Sequence, residues 1–279
     1  MIKKALYIFI LLFTSISYSQ LSKTHYIPPL THAAEGNANA VDQWMYISTP
    51  STSPVNVSIL PVGGTAQTIT VQNNQPQKVQ ISTNGYSQLY VEANTTSQVM
   101  NNKGYIIDAD KPIYVSVRVN AGGFEGNDDS SAQAGALVTK GLDGLGRTFR
   151  VGTFNSQSNS ANFNNYLNFL SVMATEDNTT VNFTNNYTSG FVIENYSGQF
   201  PINNIQLNRG ESYVIALELK DTSTATTQDA VTRNRDGLIG TLIQSDKDIV
   251  VNSGSSNGSF HIGGARAVSY THLTLPTKA

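Results

Sequence analysis

Apolar residues along this chain come in short bursts, each bounded by Gly, Asn, Ser or Pro, at the spacing of about 8 to 12 residues that strands and turns produce. Val55-Asn-Val-Ser-Ile59 and Thr180-Val-Asn-Phe183 alternate with period two, and Pro61-Val-Gly-Gly64, Thr83-Asn-Gly85 and Asn208-Arg-Gly210 read as turns. Trp44-Met-Tyr-Ile-Ser-Thr-Pro leading into Val55–Ile59, and Phe169-Leu-Ser-Val-Met-Ala-Thr leading into Thr180–Phe183, both read as hairpins. The same order of elements recurs when residues 44–120 are laid against 168–254. Tyr86–Val91 matches Glu211–Leu217, Lys103–Ile107 matches Asp236–Gly240, and Asp108-Ala-Asp-Lys-Pro-Ile-Tyr-Val115 matches Gln244-Ser-Asp-Lys-Asp-Ile-Val-Val251. In the last pair, a turn carrying Asp and Lys feeds an apolar run that suits a strand buried on both faces. The pattern predicts an all-β protein with two tandem β-sandwich-like domains related by an internal repeat.

The predicted boundaries are a first β domain over 20–135, a linker over 136–165 and a second β domain over 166–266. Ala132 to Arg150, with loosely spaced Ala, Leu and Val, is the one stretch that suits a short helix. Residues 1–19 have a different texture. Lys3 and Lys4 precede the apolar run Ala5 to Phe13, and Ser17 and Ser19 flank Tyr18 before Gln20, which is the layout of a secretory signal peptide. The apolar run is too short to span a bilayer, so the mature chain is expected to be secreted or held at the outer cell surface without crossing the membrane.

Composition narrows the partners. Charged residues are 13% of the chain, about half the usual share, and the surface is expected to be rich in hydroxyls and amides. With the signal and the last residues removed, 14 Lys and Arg remain against 19 Asp and Glu, a formal net charge of −5, and no basic patch invites nucleic acid. Cysteine is absent, so stability has to come from packing, and no thiolate metal site can form.

Nothing in the chain matches a nucleophile elbow, a phosphate-binding glycine loop or a paired-histidine metal motif, and no cofactor is expected. His25 and His32 with Glu35 form a loose metal-like grouping, outweighed by their reading as ordinary polar residues. The loop after the first repeated strand gathers Glu125, Asn127, Asp128 and Asp129, oxygen ligands that calcium would accept, although the alternation of a calcium loop is missing and a solvated acidic turn explains them better. Glycine-rich loops at 120–135 and 252–264 are the candidate ligand-binding sites, with Gly123, Phe124, Asn127, Ser256, Asn257 and His261 as the residues on offer. Asp110 with Lys111, and Asp246 with Lys247, are read as turn-stabilising because the pair occurs in both copies. Tyr86, Tyr90, Tyr105 and Tyr114 are expected on strands, packed in the core or at its edge.

Asp110-Lys-Pro-Ile113, Ala134-Gly-Ala-Leu-Val138, Gly141-Leu-Asp-Gly-Leu-Gly146, Phe149-Arg-Val-Gly152 and Asn252-Ser-Gly-Ser-Ser-Asn-Gly-Ser259 together resemble a family named after the N-terminal domain of an IgG-Fc-binding protein, over about His25 to Arg266. Bacterial members look like the front end of long surface proteins of gliding Gram-negative bacteria, which often finish with a type IX secretion sorting domain. The resemblance implies a non-enzymatic extracellular module for adhesion to a glycan or protein ligand. It does not carry antibody binding across, since that belongs to a site and not to a fold. The alternative is an ancillary carbohydrate-binding region of a secreted polysaccharide-degrading enzyme, which would need an exposed aromatic stripe on one face. Val268-Ser-Tyr-Thr-His-Leu-Thr-Leu-Pro-Thr277 resembles a translated sequencing adapter, so 267–279 are expected to be non-native, with the protein continuing past Arg266 and His272 carrying no meaning.

Overall fold

A computed structural model of the protein describes residues 20–32, 40, 42–83, 85–121, 133–152, 168–186, 191–217 and 237–255. In its first half the strands are β1 (Ser22–Ile27), β2 (Leu30–His32), β3 (Asp42–Ser48), β4 (Val55–Pro61), β5 (Gln67–Val71), β6 (Gln77–Ser82), β7 (Tyr90–Glu92), β8 (Val99–Met100), β9 (Tyr105–Ala121) and β10 (Gln133–Val138). The second half contributes β11 (Gly146–Arg150), β12 (Asn168–Ala174), β13 (Thr179–Thr184), β14 (Ile202–Leu207), β15 (Ser212–Ala216) and β16 (Leu242–Ser255). The architecture is all-β, and no α-helix occurs among the described residues.

One long strand organises each half. Tyr105–Ala109 of β9 lies between β1 and β4, with Ile107 opposite both His25 and Ile59. Tyr114–Ala121 lies between β3 and β10, with Val117 opposite both Met45 and Leu137. The strand therefore leaves one layer of a sandwich and enters the other, and Val55, Val57 and Ile59 meet Met45, Ile47, Val115 and Val117 in a single core. The change of layer falls at Asp110-Lys-Pro112, where proline has no N–H to give to a ladder.

This arrangement corrects two expectations. The paired segments read as hairpins do not pair: β3 and β4 flank β9, just as β12 and β13 flank β16, because the long strand offers a separate partner for each. The Asp-Lys segment is the middle of a continuous strand rather than a loop before one. Past Pro112, Ile113, Val115, Val117 and Val119 are buried while Tyr114 and Arg118 are exposed, so β9 is covered on one face only, whereas Val251–Ser255 of β16 are buried on both.

The two sheets share one strand order. The first runs β5-β4-β9-β3-β6 and the second β14-β13-β16-β12-β15, with β1 and β10 added to β9, β11 added to β16 and β8 added beyond β15. Cross-strand neighbours keep step. Tyr46 faces Ser116 and Lys78, and Ser171 faces Asn252 and Val214 in the corresponding places. The counterpart of β15 is thus β6 rather than Tyr86–Val91, which supplies β7 to a small parallel pair with β2.

The halves are welded together. Phe169 and Ala216 of the second sheet enter the first core beside Leu30 and Tyr90. Met173 packs with Tyr26, Val62 and Ile106, and Val214 with Val91 and Met100. All of β12 and β15 is buried, one face on the second half's own core and the other on the first half, which explains their nearly unbroken apolar reading. The Ser97 N–H donates to Val214 O (2.7 Å) and the Tyr213 hydroxyl to Ser97 O (3.0 Å), stitching β8 onto the edge; burial raises the Tyr213 pKa to about 12.

The stretch expected as a linker holds β10, β11 and a 3-10 turn at Gly141–Gly144 in place of a helix. Gly141 has φ +57 and sits so close to β1 that a Cβ would lie 2.1 Å from Ser22 Cβ, so a regular helix has neither the conformation nor the room.

Candidate functional site

Gly123, Phe124, Glu125, Asn127, Asp128 and Asp129 of the first glycine-rich loop, and Ser256, Asn257 and His261 of the second, lie outside the described residues, as does Glu35. Their anchors are described. The first loop joins Ala121 to Gln133, which are paired across β9 and β10, beside Asn120, whose amide donates to Asp42 Oδ2 (3.2 Å). The second leaves from Ser255 at the same end of β16, opposite Asn168.

A described surface with side-chain chemistry of its own is the outward face of β6, β3 and β9. Met45, Ile47, Val115 and Val117 point to the core, so Trp44, Tyr46, Tyr114, Ser116, Arg118, Lys78 and Gln80 point away from it. Lys78 Nζ sits 3.5 Å from the centre of the Trp44 ring and 5.7 Å from that of Tyr46, and Arg118 Cζ sits 4.9 Å from Tyr46. The indole N–H of Trp44 donates to Asp42 Oδ1 (2.5 Å) and fixes the ring. The other tyrosines divide: Tyr90 and Tyr105 are buried, Tyr86 is half-buried against His32, and Tyr114 is exposed. Trp44 is half-buried too, so the face is a cation-covered aromatic patch and not a bare stripe.

The Asp-Lys pairs do the same work in both halves. Asp110 accepts from the Asn56 amide (3.3 Å) and Asp246 from the Thr180 backbone N–H (2.8 Å), each the second residue of the neighbouring strand. Lys111 reaches Ser53 and Lys247 reaches the Asp177 carbonyl, each two residues before that strand. The Thr180 N–H above all, with the Thr180 hydroxyl, the Asp246 N–H and lastly Lys247, holds the Asp246 carboxyl below the ordinary carboxylate range against the opposing effect of burial. The pair clasps a turn to the strand where it changes layer.

His25 and His32 serve packing. His25 is fully buried; its Nδ1 meets Thr139 Oγ1 and its Nε2 faces the carbonyls of Ile113 (3.0 Å) and Ser22 (3.2 Å). Burial lowers its pKa below the ordinary 6.5, against the opposing pull of those carbonyls. His32 stacks on Tyr86 with ring centres 4.8 Å apart. Among the described residues no three His, Asp or Glu side chains converge as a metal site, and no helix is long and apolar enough to cross a membrane.

Lys78 and Arg118 escape sequence reasoning, because neither lies in a motif. The signal that could have found them is the two-residue alternation of β3, β6 and β9, which puts both on the face of Trp44 and Tyr46.

The chain matches the model of a family described as IgGFc binding protein over residues 134–276, just over half its length. That span holds β11 to β16 and most of β10. Among curated proteins none matches.

Proposed function

Because this chain belongs to the IgGFc binding protein family, we propose that it is a non-enzymatic, exported interaction module of a bacterial cell surface, part of a longer chain, whose ligand is an extracellular protein or glycan. The observation that carries the reading is the shared geometry of the two halves. Two long strands of equivalent place, β9 and β16, end where the glycine-rich segments begin, at Ala121 and Ser255, in sheets that share a common core. Loops on a rigid scaffold are the usual carriers of recognition. The basic, apolar and small-residue order of residues 1–19 supports export.

The test is to replace residues 122–132 by a glycine-serine segment of equal length and measure binding of the labelled protein to whole cells and to a glycan array. Loss of binding with an unchanged melting curve is expected. Undiminished binding would remove the loop from the site.

A further inference from the structure

We propose that the outward face of β3, β6 and β9 is a second binding surface, for an anionic polysaccharide whose uronate carboxylates are held by Lys78 and Arg118. The proposal rests on the reading of the chain as a binding module but uses a surface apart from the glycine-rich loops.

Among the described residues, no acidic side chain forms an ion pair with either of these two cations. The ion pairs among the described residues are Arg147 with Asp248 and Arg209 with Asp108, while Asp42, the carboxylate on this face, is turned to the Trp44 indole and the Asn120 amide. A free lysine or arginine on a surface is ordinary. Here, however, the aromatic rings of Trp44 and Tyr46 hold the cations against the sheet, so less side-chain freedom is lost when an anion arrives.

The corresponding face of the second sheet shows what the position is otherwise used for. There Phe169, Ser171, Val214 and Gly254 are buried, small or apolar at each place, and Phe169 and Val214 pack with residues of the first half. The first sheet carries Trp44, Tyr46, Lys78 and Arg118 instead, at matching register. Such bulky, charged residues exclude another β layer and leave the face to a hydrated ligand. A peptide strand could pair only along the outer edge of β6, beside the rings rather than across them, because β3 has both its edges occupied, by β6 and β9. A flat sheet face offering Gln80, Ser48 and Ser116 between the rings suits sugar hydroxyls, and repeated carboxylates along one chain add their contacts together.

The experiment is affinity electrophoresis and calorimetry of the purified chain with polygalacturonate, neutral dextran and polyglutamate. Binding to polygalacturonate that weakens with salt, with none to dextran, is expected. Lys78→Gln and Arg118→Gln should each weaken it about tenfold, the loss of one charge-assisted contact, while Arg118→Lys retains most of it. Both positions are exposed, and an unchanged urea midpoint identifies variants that fold normally. Replacement of residues 122–132 should leave this binding intact, so the two surfaces fail or succeed separately. Absence of binding, equal binding by the double glutamine variant, or equally tight binding of polyglutamate would overturn the proposal, the last reassigning the face to acidic polypeptides.

Discussion

Register along the long strands sets Gly104 against Gly240, not against the Gly237 that the sequence matching pairs with it; both come just before the long strand, with φ of +87° and +78°. Alanine at either pays the cost of the left-handed region, about 1–2 kcal/mol. Their surroundings differ completely. A Cβ on Gly240 would meet nothing within 4 Å, whereas one on Gly104 would lie 2.5 Å from the Ile27 carbonyl oxygen and 2.5 Å from Met173 Cε. Met173 can swing away, but Ile27 O belongs to backbone. Gly104 cannot retreat either, since its N–H donates to Gln88 O (2.8 Å) and its carbonyl accepts from the Val62 N–H (3.1 Å) and the Gln88 amide (2.8 Å). Overpacking of this kind adds about 1–3 kcal/mol. Gly240→Ala should therefore cost about 1–2 kcal/mol and Gly104→Ala about 2–5 kcal/mol. Urea unfolding followed by circular dichroism reads the difference directly. Equal midpoint shifts for the two variants would show that the Ile27 carbonyl yields freely and that the halves are not held at this point as described.

Two further outcomes follow from buried side chains. His25 is neutral in the fold and its pKa lies below 6.5, so the unfolded chain binds more protons in the window beneath that value; stability should be complete above about pH 6.5 and fall as the pH drops through it. The urea midpoint measured from pH 7.5 to pH 5.5 should show this decline, and His25→Gln should flatten it; parallel slopes would exclude His25 as its source. Phe169, fully buried in the core of the opposite half, should cost about 3–5 kcal/mol on replacement by alanine, and the same urea series would detect a loss below 1 kcal/mol as evidence that the shared core contributes little.

The fold class was legible because two-residue alternation and frequent turn residues leave little else for Val55–Ile59 or Thr180–Phe183 to form. Pairing was not. Residues adjacent in sequence invite a hairpin, and nothing local reveals that a strand many residues later inserts between them, as β9 does between β3 and β4. The Asp-Lys segments were read as turns, because a change of layer within one strand has the same polar sequence as a turn, proline-marked in β9. Burial of β12 on two faces depends on the other half and is invisible until both are folded. As for the candidate surfaces, the glycine-rich segments stand out by composition but lie outside the described residues, while Lys78 and Arg118 become neighbours of Trp44 and Tyr46 only through register.

The placement of Val99 and Met100 has a practical consequence for anyone cutting this chain. β15, five residues buried throughout, ends the second sheet except for that two-residue strand donated from the first half. A fragment restricted to residues 134–276 would keep the apolar ribbon Ser-Tyr-Val-Ile-Ala and lose its cover. Its bare N–H and C=O groups would then be open to the same ribbon of another molecule, and the fragment should precipitate or self-assemble where the longer chain stays dispersed.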